Sequence, residues 1–251
     1  MIFLIPLLLY LAQIPFGYEP APTIPPGPTW SWIDNHYYYC TVGSSCGGTN
    51  STGMCTFCGT VCRVDLTASV QPGDLIVAMS TNYSGSPSYI SSISGETITH
   101  CAPCLTTDLG GLLLDVVYMS AHGGETSVTC NMTAAPSGWM GCLVFVARWS
   151  GSGGITFDGG NSITKPCGIP CLGLTIPMTG NTDLAIQMNW PINCDTLTGG
   201  NGVTPPWTMF QLNDDAYVLN ATSALGSMPP TWTLACMDPY DALNAFAFTG
   251  H

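Results

Sequence analysis

The stretch LLLDVVYMSAHGGETSVTCNM, residues 112–132, carries the pattern that decides the fold of this chain. Its first part, residues 112–119, is a short apolar run of the kind that is buried in a β-sandwich. Its last part, residues 126–132, alternates between apolar and polar side chains, as a half-buried strand does. The glycines of the loop AHGGE, residues 121–125, are typical of the turn between two hairpin strands. This stretch therefore predicts an antiparallel hairpin.

Further strand signals lie on both sides of the hairpin. The turn QPGD at residues 71–74 precedes the apolar run LIVAM, and CLVFVARW at residues 142–149 is followed by the glycine-rich stretch at 150–154. The chain contains 29 glycines and 20 prolines, and no segment keeps a helical period over three turns. We therefore predict an all-β fold, a two-sheet antiparallel β-sandwich of the jelly-roll or immunoglobulin-like type.

The second part of the chain repeats this plan in the same order. The shared order predicts that the sandwich consists of two pseudo-equivalent halves, at about residues 67–151 and 172–250. Three pairs of similar segments carry the repeat: 73–79 with 181–188, 126–132 with 231–236, and 145–151 with 245–250.

The residues before 67 have a different composition from the rest. An apolar segment, residues 1–17, precedes a proline-rich stretch at 18–29 that predicts an extended spacer. Residues 30–66 are rich in aromatic residues and cysteine but show little periodicity, so we expect a disulfide-stapled elaboration rather than core strands. The β-sandwich domain then spans residues 67–251.

The apolar segment MIFLIPLLLYLAQIPFG is either a secretion signal that is removed or an arm of the mature protein. It lacks the basic start and the small-residue cleavage site of a signal, and it is too short to span a bilayer. The two alternatives stay open, and our prediction is an arm that packs into a neighbouring subunit. Its apolar side chains would make the contact: Ile2, Phe3, Leu4, Ile5, Leu7, Leu8, Leu9, Leu11 and Ile14.

The chain carries few charges. Charged residues make up 7% of it, and the formal net charge is −12. Three basic residues, Arg63, Arg148 and Lys165, do not offset the repulsion of a phosphate backbone, so nucleic acid is excluded as a partner. A surface of hydroxyls, amides and glycines gives little repulsion between copies, which favours self-association.

Thirteen cysteines indicate an oxidising setting outside the cell. The two CxxC units, at residues 55–58 and 101–104, lie about twice as far apart as those of common zinc modules. The second unit resembles a redox pair, but a loop sequence follows it where such a site needs a helix. We expect disulfides, with one cysteine left over. The candidates are Cys40, Cys46, Cys55, Cys58, Cys62, Cys101, Cys104, Cys130, Cys142, Cys167, Cys171, Cys194 and Cys236.

No catalytic motif is present, and we predict neither enzyme activity nor a cofactor. A metal shared by His122 and Glu125, and calcium at Asp158–Asn161 or at Asp214 and Asp215, are the weaker alternatives. The remaining histidines are His36, His100 and His251.

Two sets of residues are candidates for contacts with glycans or with other subunits. One aromatic cluster can serve as a platform for sugar rings or as an interface anchor: Trp30, Trp32, Tyr37, Tyr38 and Tyr39. Four Asn-x-Ser/Thr sequons permit glycosylation, at Asn50, Asn82, Asn131 and Asn220.

The order of PGDLIVAM, the hairpin at 112–132, CLVFVARWSG, TDLAIQM, WTLAC and NAFAFTG resembles a broad class of uncharacterised secreted bacterial β-sandwich domains. Those domains combine a PGD-led strand, a GG hairpin and a strand that ends in Ser/Thr-Gly. The resemblance covers about residues 67–251 and implies a jelly-roll-like fold outside the cell. It implies no catalytic residue, and the first 66 residues and the extra cysteines depart from it.

These features predict an extracellular or cell-surface structural subunit that self-assembles into a filament, sheath or surface layer. The alternative is a secreted, lectin-like β-sandwich that binds carbohydrate. The expected partners are other copies of the chain or glycans, with no nucleic acid and no stable membrane span.

Overall fold

The structure is a computed structural model of the chain, and its description covers most of the first half and selected strands of the second. The described residues are 28–41, 60–83, 88–107, 112–134, 139–167, 171–172, 174–175, 183–190, 208–211, 217–222, 231–232 and 238–251. The predicted arm, Ile2 to Ile14, lies outside them.

Sixteen strands and one short 3-10 turn at Ala102–Cys104 make up the secondary structure of the described residues. The strands are β1 (Trp30–Thr41), β2 (Val61–Asp65), β3 (Leu75–Tyr83), β4 (Ile90–Ile93), β5 (Thr99–His100), β6 (Thr106–Thr107), β7 (Leu112–Ser120), β8 (Ser127–Met132), β9 (Trp139–Trp149), β10 (Ile155–Cys167), β11 (Cys171–Leu172), β12 (Asp183–Trp190), β13 (Thr208–Gln211), β14 (Tyr217–Thr222), β15 (Thr231–Trp232) and β16 (Asp238–Gly250).

The prediction of an all-β fold with antiparallel sheets is confirmed. Every pairing between the described strands is antiparallel. The described part of the chain contains no helix long and apolar enough to cross a membrane.

The described strands form four sheets. Sheet 1 has the order β1-β9-β3-β7-β5, with β6 also paired to β7, and sheet 2 has the order β2-β8-β4. Sheet 3 has the order β10-β16-β12-β14-β13, and sheet 4 consists of β11 and β15. Sheets 1 and 2 therefore come from the first part of the chain, and sheets 3 and 4 from the second.

Sheet 1 is the middle layer, with an apolar core on each face. Leu75, Val77 and Met79 of β3 belong to the first core, which sheet 1 shares with sheet 3. Ile76 and Ala78 point the other way and belong to the second core, which sheet 1 shares with sheet 2. Since successive side chains of a strand point to opposite faces, a strand buried on both faces must be apolar throughout. This burial explains the unbroken LIVAM run.

The same strand order occurs in both parts of the chain. The order β1-β9-β3-β7 of sheet 1 matches β10-β16-β12-β14 of sheet 3, and the pair β2-β8 matches β11-β15. The similar segments of the sequence occupy matching places in this order. In the first core, Leu184, Ile186 and Met188 of β12 lie with the apolar residues of β3.

The expectation that residues 30–66 hold no core strands is corrected by the structure. The strand β1 pairs with β9 from Trp30 to Thr41, and Cys62 and Val64 of β2 are part of the second core. Trp30 and Trp32 are partly buried and pack against the first core.

Polar residues inside β1 are the reason that the sequence pattern does not predict this strand. Asp34 and His36 are buried, at 8% and 7% exposure, where apolar residues would be expected in a core strand. Asp34 accepts hydrogen bonds from the backbone N–H groups of Thr67 (2.7 Å) and Ala68 (2.9 Å). Because a buried carboxylate is tolerated when its hydrogen bonds are satisfied, the strand accommodates a charge that breaks its apolar period.

Core truncations on opposite faces of β3 test the position of sheet 1 as the middle layer. We expect Ile76→Ala and Met79→Ala each to lower the free energy of unfolding by about 2–5 kcal/mol, because each leaves a cavity in a different core. Ile163→Ala, at a side chain that is 41% exposed, is the control and should cost about 1 kcal/mol or less. Urea denaturation measures all three, and a small loss for either core variant would contradict burial of that face.

Candidate functional site

A cleft of about 450 Å³ opens where the first and second parts of the chain meet. Its walls are the turn at residues 71–74, the ends of β7 and β9, and the loop at residues 150–154 that joins β9 to β10. Its apolar lining includes Leu75, Tyr118 and Phe248, which come from sheets 1 and 3 at the first core. The cleft is therefore formed by both parts of the chain together.

An ion pair between Asp74 and Arg148 forms one side of the cleft. The Arg148 Nε and Nη2 groups donate to the two carboxylate oxygens of Asp74, each at 2.7 Å, and Nη2 also donates to the Ser69 carbonyl at 3.2 Å. The Asp74 side chain is 2% exposed and that of Arg148 is 27% exposed. The hydrogen bonds to Asp74 raise the pKa of Arg148 above its ordinary value. This bidentate contact holds the start of β3 to the end of β9.

The PGD turn and the GG loop are hydrogen-bonded to each other beside the cleft. The Gly73 N–H donates to the Ala121 carbonyl (2.9 Å), and the Ala121 N–H donates to the Asp74 carbonyl (2.7 Å). Gly123 has a φ of +94°, and a side chain there would collide with the Pro72 ring. Glycine is required at this position because the loop crosses so close to the turn. The two motifs that characterise the sequence therefore form one unit.

Trp149 lies at the end of the cleft near the loop between β9 and β10. Its indole N–H donates to the carbonyl of His251 at 3.0 Å, and its ring lies 5.5 Å from that of Trp30. A side chain at Gly151 or Gly250 would collide with the Trp149 ring. The glycines in and beside this loop leave room for a buried tryptophan.

Aromatic rings from both sheets meet on the inner side of the cleft. Tyr118 of β7 stacks on Phe157 of β10 at 5.5 Å and meets Phe248 of β16 edge-on at 5.0 Å. Burial raises the pKa of the Tyr118 phenol. The hydroxyl therefore stays protonated near neutral pH and can donate a hydrogen bond.

Asp34, His36 and Thr67 are the nearest approach to a catalytic triad among the described residues. Both Asp34 Oδ1 (2.8 Å) and Thr67 Oγ1 (3.3 Å) contact the same ring nitrogen of His36, Nε2. A triad needs the acid on one nitrogen and the nucleophile on the other, so that the ring can pass a proton between them. This cluster is arranged to bind the loop at residues 67–68 to β1 and not to activate Thr67.

His100 lies beside a buried carboxyl, that of Asp115 in β7. The Asp115 side chain is 3% exposed, accepts the Ile90 N–H at 2.8 Å and lies 3.4 Å from His100 Nδ1. Burial raises the pKa of Asp115 above 3.8, and its hydrogen bond to Ile90 and the charge of His100 only partly oppose that rise.

The carboxylate of Glu125 is not available to share a metal with His122, because it binds backbone N–H groups. The Glu125 carboxylate accepts the backbone N–H groups of His122 (2.6 Å) and Gly123 (2.9 Å), and so it caps the loop between β7 and β8. Asp158 and Asn161 lie on the strand β10 and not in a calcium-binding loop, while Asp214 and Asp215 fall outside the described residues. Within the described ranges no three or more His, Cys, Asp or Glu side chains gather as a metal site.

The cysteine candidates fall into four groups. Two disulfides are present, Cys101–Cys104 and Cys130–Cys142. Cys62 is buried opposite Cys130 in the register of β2 and β8. Three more lie on strands: Cys40, Cys167 and Cys171. The others lie outside the described residues: Cys46, Cys55, Cys58, Cys194 and Cys236.

The proposed aromatic cluster is part of β1. The ring of Trp32 lies 5.3 Å from that of Phe145, which together with the contact of Trp30 with Trp149 places both tryptophans against the first core. Tyr37, Tyr38 and Tyr39 lie opposite residues 141–143 of β9.

Three of the four sequon asparagines lie on strands. The Asn131 amide on β8 donates to Ser92 Oγ at 2.8 Å. Asn82 lies on β3 and Asn220 on β14, each between two paired strands, and Asn50 lies outside the described residues.

The cleft and its ion pair were not found by sequence reasoning. The available signal was Arg148, a cation within the apolar run CLVFVARW, because a charge in a core strand needs a partner. The identity of that partner depends on β3 and β9 being neighbours in sheet 1.

No family model, no curated protein and no solved structure matches this chain.

Removal of the guanidinium tests the buried ion pair. We expect Arg148→Met to lower the free energy of unfolding by about 3 kcal/mol, because it leaves the Asp74 carboxylate buried without its cation. Arg63→Met is the matched control, since Arg63 binds Asp65 at 2.8 Å but is 48% exposed, and it should cost less than about 1 kcal/mol. Equal losses in urea denaturation would contradict a special role for the Asp74 pair.

The raised pKa of Asp115 predicts a pH dependence of stability. A carboxyl that binds its proton more tightly in the folded state stabilises the protein fully below pH 3.8, and this contribution is lost as the pH rises through the folded pKa. Asp115→Asn should therefore become more stable relative to the native protein as the pH rises from about 4 to 7. A difference for Asp115→Asn that stays constant with pH would refute the prediction.

Proposed function

We propose that the chain is an extracellular structural subunit that self-assembles into a filament, sheath or surface layer. We further propose that each half is a two-sheet jelly-roll sandwich. The repeated order of β1-β9-β3-β7 and β10-β16-β12-β14 supports this description, as do the second sheets β2-β8 and β11-β15. Jelly rolls occur in capsid and lectin domains, which is an argument by analogy of fold. The two disulfides support an oxidising compartment.

The observation that carries the proposal is the edge of sheet 3. The strand β10 is 13 residues long and ends the sheet, and in the described part of the chain no strand pairs with its second edge. An open edge of this length is a template for a strand from another chain. Irregularities of register at Phe157/Gly159 and at Lys165/Cys167 leave residues 159–165 as the regular segment for such pairing.

The other sheet ends offer shorter or covered edges. The strands β5 and β6 have two residues each, and β13 has four. The strand β1 is long, but its Asp34 binds the backbone of residues 67 and 68. The strand β10 has a comparable contact, since Ser162 Oγ donates to the Leu105 carbonyl at 2.9 Å. The strands β1 and β10 are therefore the two long described edges, and we propose β10 as the contact.

The N-terminal arm is the proposed occupant of this edge in a neighbouring subunit. The described chain begins beside the loop between the halves, where the Thr29 N–H donates to Ser150 Oγ (2.7 Å) and the Ser150 N–H donates to the Thr29 carbonyl (3.0 Å). The proline-rich stretch before this point would connect it to the apolar residues of the arm, which we propose reach a second copy. The low charge of the chain favours such contacts.

Carbohydrate binding at Trp30 and Trp32 is not favoured, because their rings pack against the first core. An exposed platform there would need rings that are not already packed.

A charge on the edge strand tests the proposal. We expect Ile163→Lys on β10 to prevent assembly, since lysine on an edge strand opposes pairing with another chain. Val61→Lys is the matched control, because Val61 is exposed to a similar extent (37% against 41%) but lies on sheet 2. Negative-stain microscopy and light scattering measure assembly.

Removal of residues 1–17 should also leave monomers if the arm is the contact. Native protein that stays monomeric at high concentration would overturn the structural role, and polymers that survive both changes would overturn the arm and β10 as the contact.

A further inference from the structure

We propose that the cleft between the two halves is a binding site for an uncharged saccharide unit, a mono- or disaccharide. Its volume of about 450 Å³ lies within the usual range for small-molecule sites, about 300–1,000 Å³. This inference is independent of self-assembly, because it concerns a cleft within one copy.

The charges of the cleft exclude an ionic ligand. Its lining contains one cation and one carboxylate, Arg148 and Asp74, which neutralise each other through two hydrogen bonds. The Asp74 carboxylate also accepts the Gln71 N–H at 2.7 Å, so both of its oxygens are already bound. An anion would meet the Asp74 charge beside the guanidinium, and a cation would find no carboxylate oxygen without a donor.

The polar lining matches a ligand rich in hydroxyl groups. Exposed side chains that donate and accept hydrogen bonds surround the cleft: Gln71, Thr99, Ser120 and Ser152. They come from four different segments that the fold brings together. A ligand with hydroxyl groups can form hydrogen bonds to these side chains, whereas a purely apolar ligand cannot.

The apolar lining matches the other property of a sugar, the C–H face of its ring. Tyr118 is half-buried, and its ring is held in place by Phe157 and Phe248. A ring fixed in this way loses no rotamer freedom when a ligand packs on it. Its hydroxyl is a donor at the same position, so Tyr118 provides both an apolar surface and a hydrogen bond.

The position of the cleft gives it rigidity. The glycine-rich loop at residues 150–154 is held at its far end, where the His251 N–H donates to the Gly154 carbonyl at 3.1 Å. The opposite wall is the turn at residues 71–74, which is bound to the GG loop. A site formed before the ligand arrives binds with a smaller entropic cost.

Saturation-transfer NMR with neutral sugars tests the proposal. The probes are glucose, galactose, mannose, N-acetylglucosamine, lactose and cellobiose, with sialic acid as the anionic comparison. A second arm uses oligosaccharides of the same units, and binding of these alone would identify a glycan chain as the source of the sugar unit. We expect at least one neutral sugar to bind and sialic acid not to bind.

Three variants locate the binding. Ser152→Trp should abolish it by filling the cleft, while Ser91→Trp, at an exposed serine of sheet 2, should leave it unchanged. Tyr118→Phe removes one hydroxyl and keeps the packed ring, so it should weaken binding about three- to tenfold. The proposal fails if no neutral sugar binds, if sialic acid alone binds, or if Ser152→Trp binds as the native protein does.

Discussion

Burial of both faces of sheet 1 is the constraint on which the rest of the structure depends. Once sheets 2 and 3 cover this layer, β3, β7 and β9 must carry apolar side chains at almost every position. The polar residues that remain buried between these sheets must then form hydrogen bonds or ion pairs within the protein. Asp34 does so with backbone N–H groups, Asp74 with Arg148, and Asp115 with Ile90 and His100. Hydrogen bonds to these three carboxylates reduce the cost of burying them.

The Asp74–Arg148 pair connects this layered core to the cleft. The pair joins β3 to β9, and the turn that holds Asp74 is itself bound to the loop between β7 and β8. Three strands of sheet 1 (β3, β7 and β9) and one of sheet 2 (β8) therefore each have one end at this hydrogen-bonded turn. The loop from β9 to β10 leaves from the same place, so this network of hydrogen bonds lies beside the walls of the cleft.

Much of the fold could be predicted from the sequence because strand periodicity is local. Strands occur where the apolar run at residues 75–79, the two patterned parts of residues 112–132 and the described parts of the repeated segments predict them. The hairpin expected at residues 112–132 is wrong, because β7 pairs within sheet 1 and β8 within sheet 2, so the GG loop connects two sheets. The strand β1 could not be predicted in this way, because Asp34 and His36 interrupt its pattern and their partners lie about thirty residues away. Pairing between distant residues leaves no periodic signal in either segment.

The sequence by itself determined the secondary structure class, the repeat and the scarcity of charge, since each depends on which residues follow one another. Only the tertiary structure decided which strands are neighbours, that sheet 1 lies between two others, and that Arg148 meets Asp74. It also decided that Tyr118, Ser152 and Gln71 line one cleft. These facts depend on contacts between residues far apart in the chain, whose free energy comes from the packing of whole sheets.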